Sequence, residues 1–264
     1  MARILIIAFA SCVACSDVWA AEFDLPERES FHLFVLAGQS NMAGRGRLDD
    51  AATKPHANIW MLDQSLTWVP AIDPLHFDKP SVVGVGPGRS FASAYADANP
   101  GITVGLIPCA VGGSPIAAWK PGGYHASTKT HPWDDACTRI TAVIDSGILK
   151  GVLWHQGESD AKPELAAIYE AALDDVVLRF RSLCKQPALP FIAGQMGQFE
   201  EQPWDHAKKQ VDAVHRGLAS RLKHTAFASS DGLKHKGDEI HFDTPSACTL
   251  GRRYFQAFST LQSP

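Results

Sequence analysis

Phe34-Val35-Leu36-Ala37-Gly38-Gln39-Ser40-Asn41-Met42-Ala43-Gly44 is a short apolar run that passes without a break into a turn of small residues carrying one serine. Polar residues flank the run, as they do around a central strand of a sheet covered on both faces. Ligands of such sheets sit beyond the carboxyl ends of the strands, so Ser40 falls where an α/β enzyme keeps its chemistry. Taken alone, the segment fits equally a serine that merely caps the next helix. The rest of the chain has to decide between the two.

Downstream, apolar runs at 102–107, 151–155, 189–193 and 225–228 read as further strands. Segments with helical spacing separate them, at 90–98, 134–145, 163–183, 204–222 and 246–261. Regular alternation of this kind argues a parallel sheet with helices on both faces. The stretch 48–88, rich in Asp, Pro and Gly with isolated aromatics, reads as loop laid over the active face.

With 264 residues, 45% of them hydrophobic, the chain is long enough for one substantial core. A net charge of -4 and a pI near 6.2 give no basic field, so nucleic acid is not an expected partner. Met1-Ala2-Arg3, the apolar run from Ile4 to Ala10 and the small-residue site Val18-Trp19-Ala20 match a secretory signal peptide over residues 1–20, cleaved near Ala20. The apolar part is too short for a comfortable membrane span, so no stable membrane association is expected after its removal. Cys12 and Cys15 would suit lipoprotein processing, but the residues before them lack the usual outer leucine. Cys109, Cys137, Cys184 and Cys248 then remain, an even number in an oxidising compartment that permits three full pairings. None forms a C-x-x-C pair, which argues against a structural zinc site. Oligomeric state has no signature in the sequence.

Polar clusters stand at three strand ends: around Ser40, at Gly112-Gly113, and at Gln156-Gly157-Glu158. A late loop adds Asp238-Glu239-Ile240-His241. Acyl transfer at a serine needs a hydroxyl nucleophile, an imidazole base, a carboxylate to orient that imidazole, and donors for the oxyanion. All of these types are present on the expected face. An aspartate three residues before a histidine can share one turn with it, so Asp238 can reach the ring nitrogen that does not face Ser40. The glycine turn after the second strand lets backbone amides approach a ligand closely, although an ordinary strand-to-helix turn has the same composition. Trp119 and the loop 120–131 are expected to wall a cleft.

Gly38-Gln39-Ser40-Asn41-Met42, Pro108-Cys109-Ala110-Val111-Gly112-Gly113-Ser114-Pro115-Ile116 with Trp119, Trp154-His155-Gln156-Gly157-Glu158-Ser159-Asp160 and Asp238-Glu239-Ile240-His241-Phe242 occur in that order. Together they resemble the blocks of the SGNH-hydrolase superfamily, in the sialate O-acetylesterase-like branch that contains carbohydrate esterase family six, the acetylxylan esterases. The resemblance spans about residues 31–258. It implies a three-layer α/β/α sandwich around a central parallel, flavodoxin-like sheet of five strands, in a single domain over 21–264. It also implies Ser40 as nucleophile, His241 as general base, and an oxyanion hole from the backbone amides of Ser40 and Gly113 with the side-chain amide of Gln156. Gln156 stands where many members carry asparagine. For the orienting carboxylate, Asp238 is favoured and Glu158 stays open as an alternative or supporting group. Gln39, Asn41, Gly112 and Trp119 are expected to contact substrate. The implied partner is an acetylated carbohydrate, xylan or another plant polysaccharide, or alternatively an acetylated sialic acid. No cofactor or metal is implied.

Three rivals fit less well. An α/β-hydrolase would show a G-x-S-x-G elbow, and Ser40 has Met42 two places on. A metal-dependent deacetylase would draw on His155, His235 and His241 with Asp160, Asp231 and Asp238, but no H-E-x-x-H spacing supports it. A carbohydrate-binding module could stack sugars on Trp60, Trp68, Trp119, Trp133 and Trp204, yet it has no use for Ser40, His241 and an oxyanion turn together.

Overall fold

The quoted run forms β1 (Phe31–Gly38) through the middle of the molecule, and its side chains sort by parity. Phe31, Leu33, Val35 and Ala37 enter one apolar layer, Phe34 and Leu36 the other, and all six are fully buried. A strand covered on both faces requires that alternation. The structure is a computed structural model that describes residues 25–262, so the expected signal peptide, with Cys12 and Cys15, lies outside the described residues.

From β1 the chain runs through a single-turn helix α1 (Ser40–Ala43), β2 (Ile59–Leu62), β3 (Trp68–Pro70), α2 (Gly88–Ala98), β4 (Thr103–Pro108) and α3 (Pro132–Val143). It continues through β5 (Ile148–His155), α4 (Pro163–Ala166), α5 (Tyr169–Leu183), β6 (Phe191–Gly194), α6 (His206–Arg216), α7 (Leu218–Arg221), β7 (Thr225–Ala228) and α8 (Thr244–Thr260). In space the strands are ordered β3-β2-β4-β1-β5-β6-β7 in one 7-stranded sheet. All neighbours pair in parallel except β3, which runs antiparallel to β2 at one edge.

The five strands expected from sequence are all present, but the sheet has seven. Both extra strands lie in 48–88, expected as loop. At four and three residues they are too short to show a period among their Asp, Pro and Gly neighbours. Pro70 is tolerated because β3 is the edge strand. Two expected helices are also broken, at Ala167-Ile168 between α4 and α5 and at Gly217 between α6 and α7.

On one face α2 and α8 bring Phe91, Tyr95, Leu250 and Phe258 against Phe34 and Leu36. The Phe34 ring meets Phe91 and Tyr95 edge-on at 4.8 Å between centroids and Phe258 at 5.4 Å; each such pair contributes about 0.5–1.5 kcal/mol beyond burial. On the other face α3, α5 and α6 cover the sheet with Trp133, Ile140, Leu173, Phe180 and Val211. Four of the five tryptophans considered as a sugar platform, Trp68, Trp119, Trp133 and Trp204, are core residues. Trp119 in particular was expected at the cleft and is wholly buried. Its ring lies edge-on to Trp154 at 5.0 Å, and its Nε1 donates to Ser114 Oγ at 3.0 Å.

Strand order positions the site. The chain builds β2, β3 and β4 on one side of β1, then crosses over to build β5, β6 and β7 on the other. A crevice opens at such a reversal, outside the carboxyl ends of the strands. Leu36 is in register with Pro108 of β4, and Gly38 with His155 of β5. The segments after β4 and β5 therefore emerge on either side of Ser40.

Candidate active site

Gly38 ends β1 with φ of 120°, and a Cβ there would lie 2.1 Å from the His155 carbonyl oxygen. Only glycine lets the end of β1 press this closely on β5. The Gln39 amide donates to that same carbonyl at 2.7 Å, and Ser40 follows as the first residue of α1. Gln39 occupies the N-cap position and makes no side-chain cap bond, so the capping role considered for Ser40 is not taken up. The Ser40 hydroxyl is instead 3.0 Å from His241 Nε2.

His241 reaches Ser40 from the loop between β7 and α8. That loop is pinned at its base: the Lys236 amide donates to the His241 carbonyl at 2.9 Å, and Asp243 Oδ1 caps α8 through the Ser246 amide at 2.8 Å. Asp238 Oδ2 lies 2.7 Å from His241 Nδ1, while its Oδ1 accepts from the amides of Ile240 and His241 at 3.1 and 2.8 Å. Partial burial works against the Asp238 anion, but the hydrogen bonds from the His241 amide and ring and from the Ile240 amide prevail and hold its pKa down at about 2. An ionised Asp238 keeps the proton on Nδ1, leaving Nε2 to accept from Ser40.

Asn41, expected as a substrate contact, is buried and faces the histidine loop. Its Nδ2 donates to the Ile240 carbonyl at 3.1 Å and its Oδ1 accepts from the Phe242 amide at 3.2 Å. The residue beside Ser40 thus grips the chain on both sides of His241. The same Nδ2 donates to Glu158 Oε1 at 2.7 Å. Glu158 therefore stands behind Asn41 and makes no hydrogen bond to His241, which is bonded to Asp238. Burial pushes the Glu158 carboxyl above the usual range, against hydrogen bonds from its own amide and Asn41.

The glycine turn after β4 is held from beneath. The Gly112 amide donates to Asp78 Oδ2 at 2.7 Å, and Arg45 Nη2 donates to the same oxygen at 2.8 Å. A Cβ on Gly112 would lie 2.2 Å from Arg45 Nη2. Gly112 is thus packed on this ion pair, away from the substrate role expected of it. Gly113 has φ of 79°, and its carbonyl accepts from Ser159 Oγ at 3.0 Å. Among the described residues no acceptor is paired with the backbone N–H of Ser40 or of Gly113.

Gln156 is fully buried and not turned out for use by a ligand. Its Nε2 donates to Asp160 Oδ2, to Gln39 Oε1 at 3.2 Å and to the Ser114 carbonyl at 3.3 Å. Gln39 Oε1 also accepts from the amides of Gly157 and Ser159 at 3.4 and 3.3 Å. Gln39 and Gln156 therefore fasten the β1, β4 and β5 loops to one another. Asp160 completes the tie by accepting from the Ile116 amide at 2.8 Å. Sequence reasoning missed Arg45, Asp78 and Asp160 in these roles; Asp78 lies in the stretch 48–88 read as loop and Arg45 just before it, where nothing marks a partner for Gly112.

Behind Gln156, Tyr169 OH donates to Gln156 Oε1 at 2.7 Å and sits 3.0 Å from His215 Nε2. Burial first, and then the Arg221 charge, push His215 from 6.5 down to about 3. Between those pH values the unfolded chain binds a proton that the folded chain does not, so this residue lowers stability as pH falls through the window. In His215→Gln the fall in unfolding free energy from about pH 6 to about pH 4 should flatten by up to about 1.4 kcal/mol per pH unit. Urea titrations at each pH measure this, and unchanged slopes would mean that the folded protein protonates His215 normally.

Among the described residues, no three His, Cys, Asp or Glu side chains converge in a way that could hold a metal ion. Cys109, Cys137, Cys184 and Cys248 are all free thiols. No helix of the described chain is long and apolar enough to cross a membrane.

A hydroxyl, an imidazole and a carboxylate in hydrogen-bonded series, at the carboxyl ends of a parallel sheet, are the arrangement that serine esterases use. The model of the family described as "Carbohydrate esterase, sialic acid-specific acetylesterase" matches residues 30–260, and the chain belongs to that family. A protein of Arabidopsis thaliana named as a probable carbohydrate esterase is 30% identical over 261 residues, covering 89% of this chain and 94% of its own length. An Arabidopsis thaliana crystal structure at 30% identity superposes with a TM-score of 0.76 over 87% of this chain and 98% of its own. NanS, at 18% identity, has a TM-score of 0.71 over 90% and 99% of the two chains. A carbohydrate acetylesterase from Xanthomonas citri, at 19% identity, has 0.68 over 87% and 56%. The last two likenesses establish the shared α/β fold. The family is one of carboxylic ester hydrolases acting on carbohydrate.

Proposed function

We propose that this chain is a serine carbohydrate O-acetylesterase working through an acetyl-enzyme on Ser40. The observation that carries this is the series Ser40 Oγ, His241 Nε2, His241 Nδ1 and Asp238 Oδ2, with steps of 3.0 and 2.7 Å. Ser40 attacks the acetyl carbonyl as His241 takes its proton. The amides of Ser40 and Gly113 receive the oxyanion, and His241 returns the proton to the departing sugar hydroxyl. Water then hydrolyses the acetyl-enzyme with His241 again as base. Gln156 serves as a third donor only by releasing one of its present bonds.

The acetyl donor is an acetylated polysaccharide such as xylan, met outside the cytoplasm after removal of a signal peptide over residues 1–20. A cavity of about 880 Å³ lined by Phe199, Trp204, Lys209 and His235 lies beside the histidine loop and includes neither Ser40 nor His241. The Phe199 ring packs 5.8 Å from Phe242, the residue after His241. The description of the family favours a second substrate, O-acetylated sialic acid. Acetate release from acetylated xylooligosaccharides and from O-acetylated sialic acid, each with Ser40→Ala as control, tests both. Release that persists in Ser40→Ala would end the mechanism, and a strong preference for sialate would replace the first substrate by the second.

A further inference from the structure

Two nitrogen-bearing side chains lie against the glycine turn at Gly113, and the chemistry above uses neither. An atom standing where Gly113 would carry a Cβ lies 3.8 Å from Lys79 Nζ and 3.9 Å from His125 Nε2. Both residues are half-buried. Lys79 has no paired carboxylate among the described residues, although the chain as a whole carries a net charge of -4. Its neighbour Asp78 is committed to Arg45 and to the Gly112 amide. The Arg45–Asp78 pair is therefore internally neutral and leaves the Lys79 charge uncompensated. His125 is held by Ser127 Oγ at 2.6 Å from Nε2. Burial lowers its pKa, and Lys79 acts in the same direction against a contact with the Gly112 backbone, so it meets a ligand as a neutral hydrogen-bonding ring.

An ammonium and an imidazole beside the Gly113 amide make a place for an anion next to the bond being cleaved. The acetyl oxyanion has its own donors. A carboxylate on the sugar is a permanent negative charge that an ammonium and a ring N–H can read. Resting on the acetylesterase reading of the site, we propose that Lys79 and His125 form a carboxylate-reading subsite that selects O-acetylated acidic sugars over neutral ones. The carboxylate accepts from Lys79 Nζ, and from His125 Nε2 once that nitrogen exchanges its Ser127 Oγ contact for the ligand, while the acetyl group sits at Ser40. Such a sugar acid has two sources, a sialic acid or a uronic acid borne by a plant polysaccharide.

The test pairs each O-acetylated acid with its own methyl ester, which keeps shape and removes charge, using 9-O-acetyl sialic acid in one arm and an acetylated glucuronoxylan oligosaccharide in the other. In one arm the wild-type protein should favour the acid by about tenfold in kcat/KM at low salt, carried by KM. The preference should shrink at high ionic strength, where such a pair is screened. In Lys79→Met the ratio should fall to about one, and Lys79→Arg should restore most of it, which a merely structural role for Lys79 would not produce. Binding of the same pairs to Ser40→Ala by calorimetry reads the preference without turnover, so a failed mechanism and a failed subsite stay distinguishable. The arm that shows the preference identifies the source. Ratios near one for wild type in both arms, or a ratio unchanged in Lys79→Met, would overturn the subsite.

Discussion

Ser40→Ala should cut acetate release by on the order of 10⁴- to 10⁶-fold in kcat and leave the protein folded. The Ser40 hydroxyl has a single side-chain hydrogen bond, to His241, and no buried partner is stranded when it goes, so the stability cost should be within about 1 kcal/mol. His241→Ala should cost a similar factor in rate, because a hydroxyl without its base is as ineffective as a base without its hydroxyl. The double variant should be hardly worse than either single one, as groups acting as a unit are strongly non-additive. Steady-state acetate assays on purified, thermally characterised variants read all three. Losses that multiply in the double variant would mean that the two residues act separately and that the 3.0 Å contact is incidental.

These residues were legible in the sequence because their grouping is local. Ser40 stands at the end of an apolar run of strand length, and Asp238 precedes His241 by three residues, so a single turn suffices to join them. The parallel sheet was legible for a similar reason: β1 and β5 are 8 residues each and buried almost throughout. The edge strands β2 and β3 were not, being set by pairing with β4 and with each other rather than by any pattern of their own. The supports of the site are still harder to see. Asn41 meets Glu158 across 117 residues and Ile240 across 199, and Gly112 finds Asp78 across 34. Asn41, Gln39 and Gly112 lie in the motif blocks, and the blocks alone do not distinguish a side chain that touches substrate from one that holds the loop of another. Hydrogen bonding separates the two: both polar atoms of Asn41, Oε1 of Gln39 and the amide of Gly112 are occupied within the protein, whereas the amides of Ser40 and Gly113 have no paired acceptor among the described residues.

Asp238→Asn should lower kcat by about 10⁴-fold with little change in KM, through the proton on the ring rather than its position. Asp238 Oδ2 now accepts from Nδ1. An asparagine amide there donates to Nδ1, so the proton moves to Nε2 and the ring presents a donor where Ser40 needs an acceptor. Glu158→Gln should behave differently. Its Oε1 is bonded to Asn41 Nδ2 and not to the ring, and a glutamine oxygen can accept the same bond, so a loss of about tenfold or less is expected. Asn41→Ala lies between them. It frees the Ile240 carbonyl and the Phe242 amide on either side of His241 and leaves the Glu158 carboxylate without its donor. A displacement of the ring by even an ångström typically costs about 10²-fold, and the loss should fall on kcat. The order Asp238→Asn, then Asn41→Ala, then Glu158→Gln follows from which group touches the imidazole, which holds its loop, and which holds the holder. A Glu158→Gln protein as crippled as Asp238→Asn would instead make Glu158 the carboxylate that governs His241 during turnover.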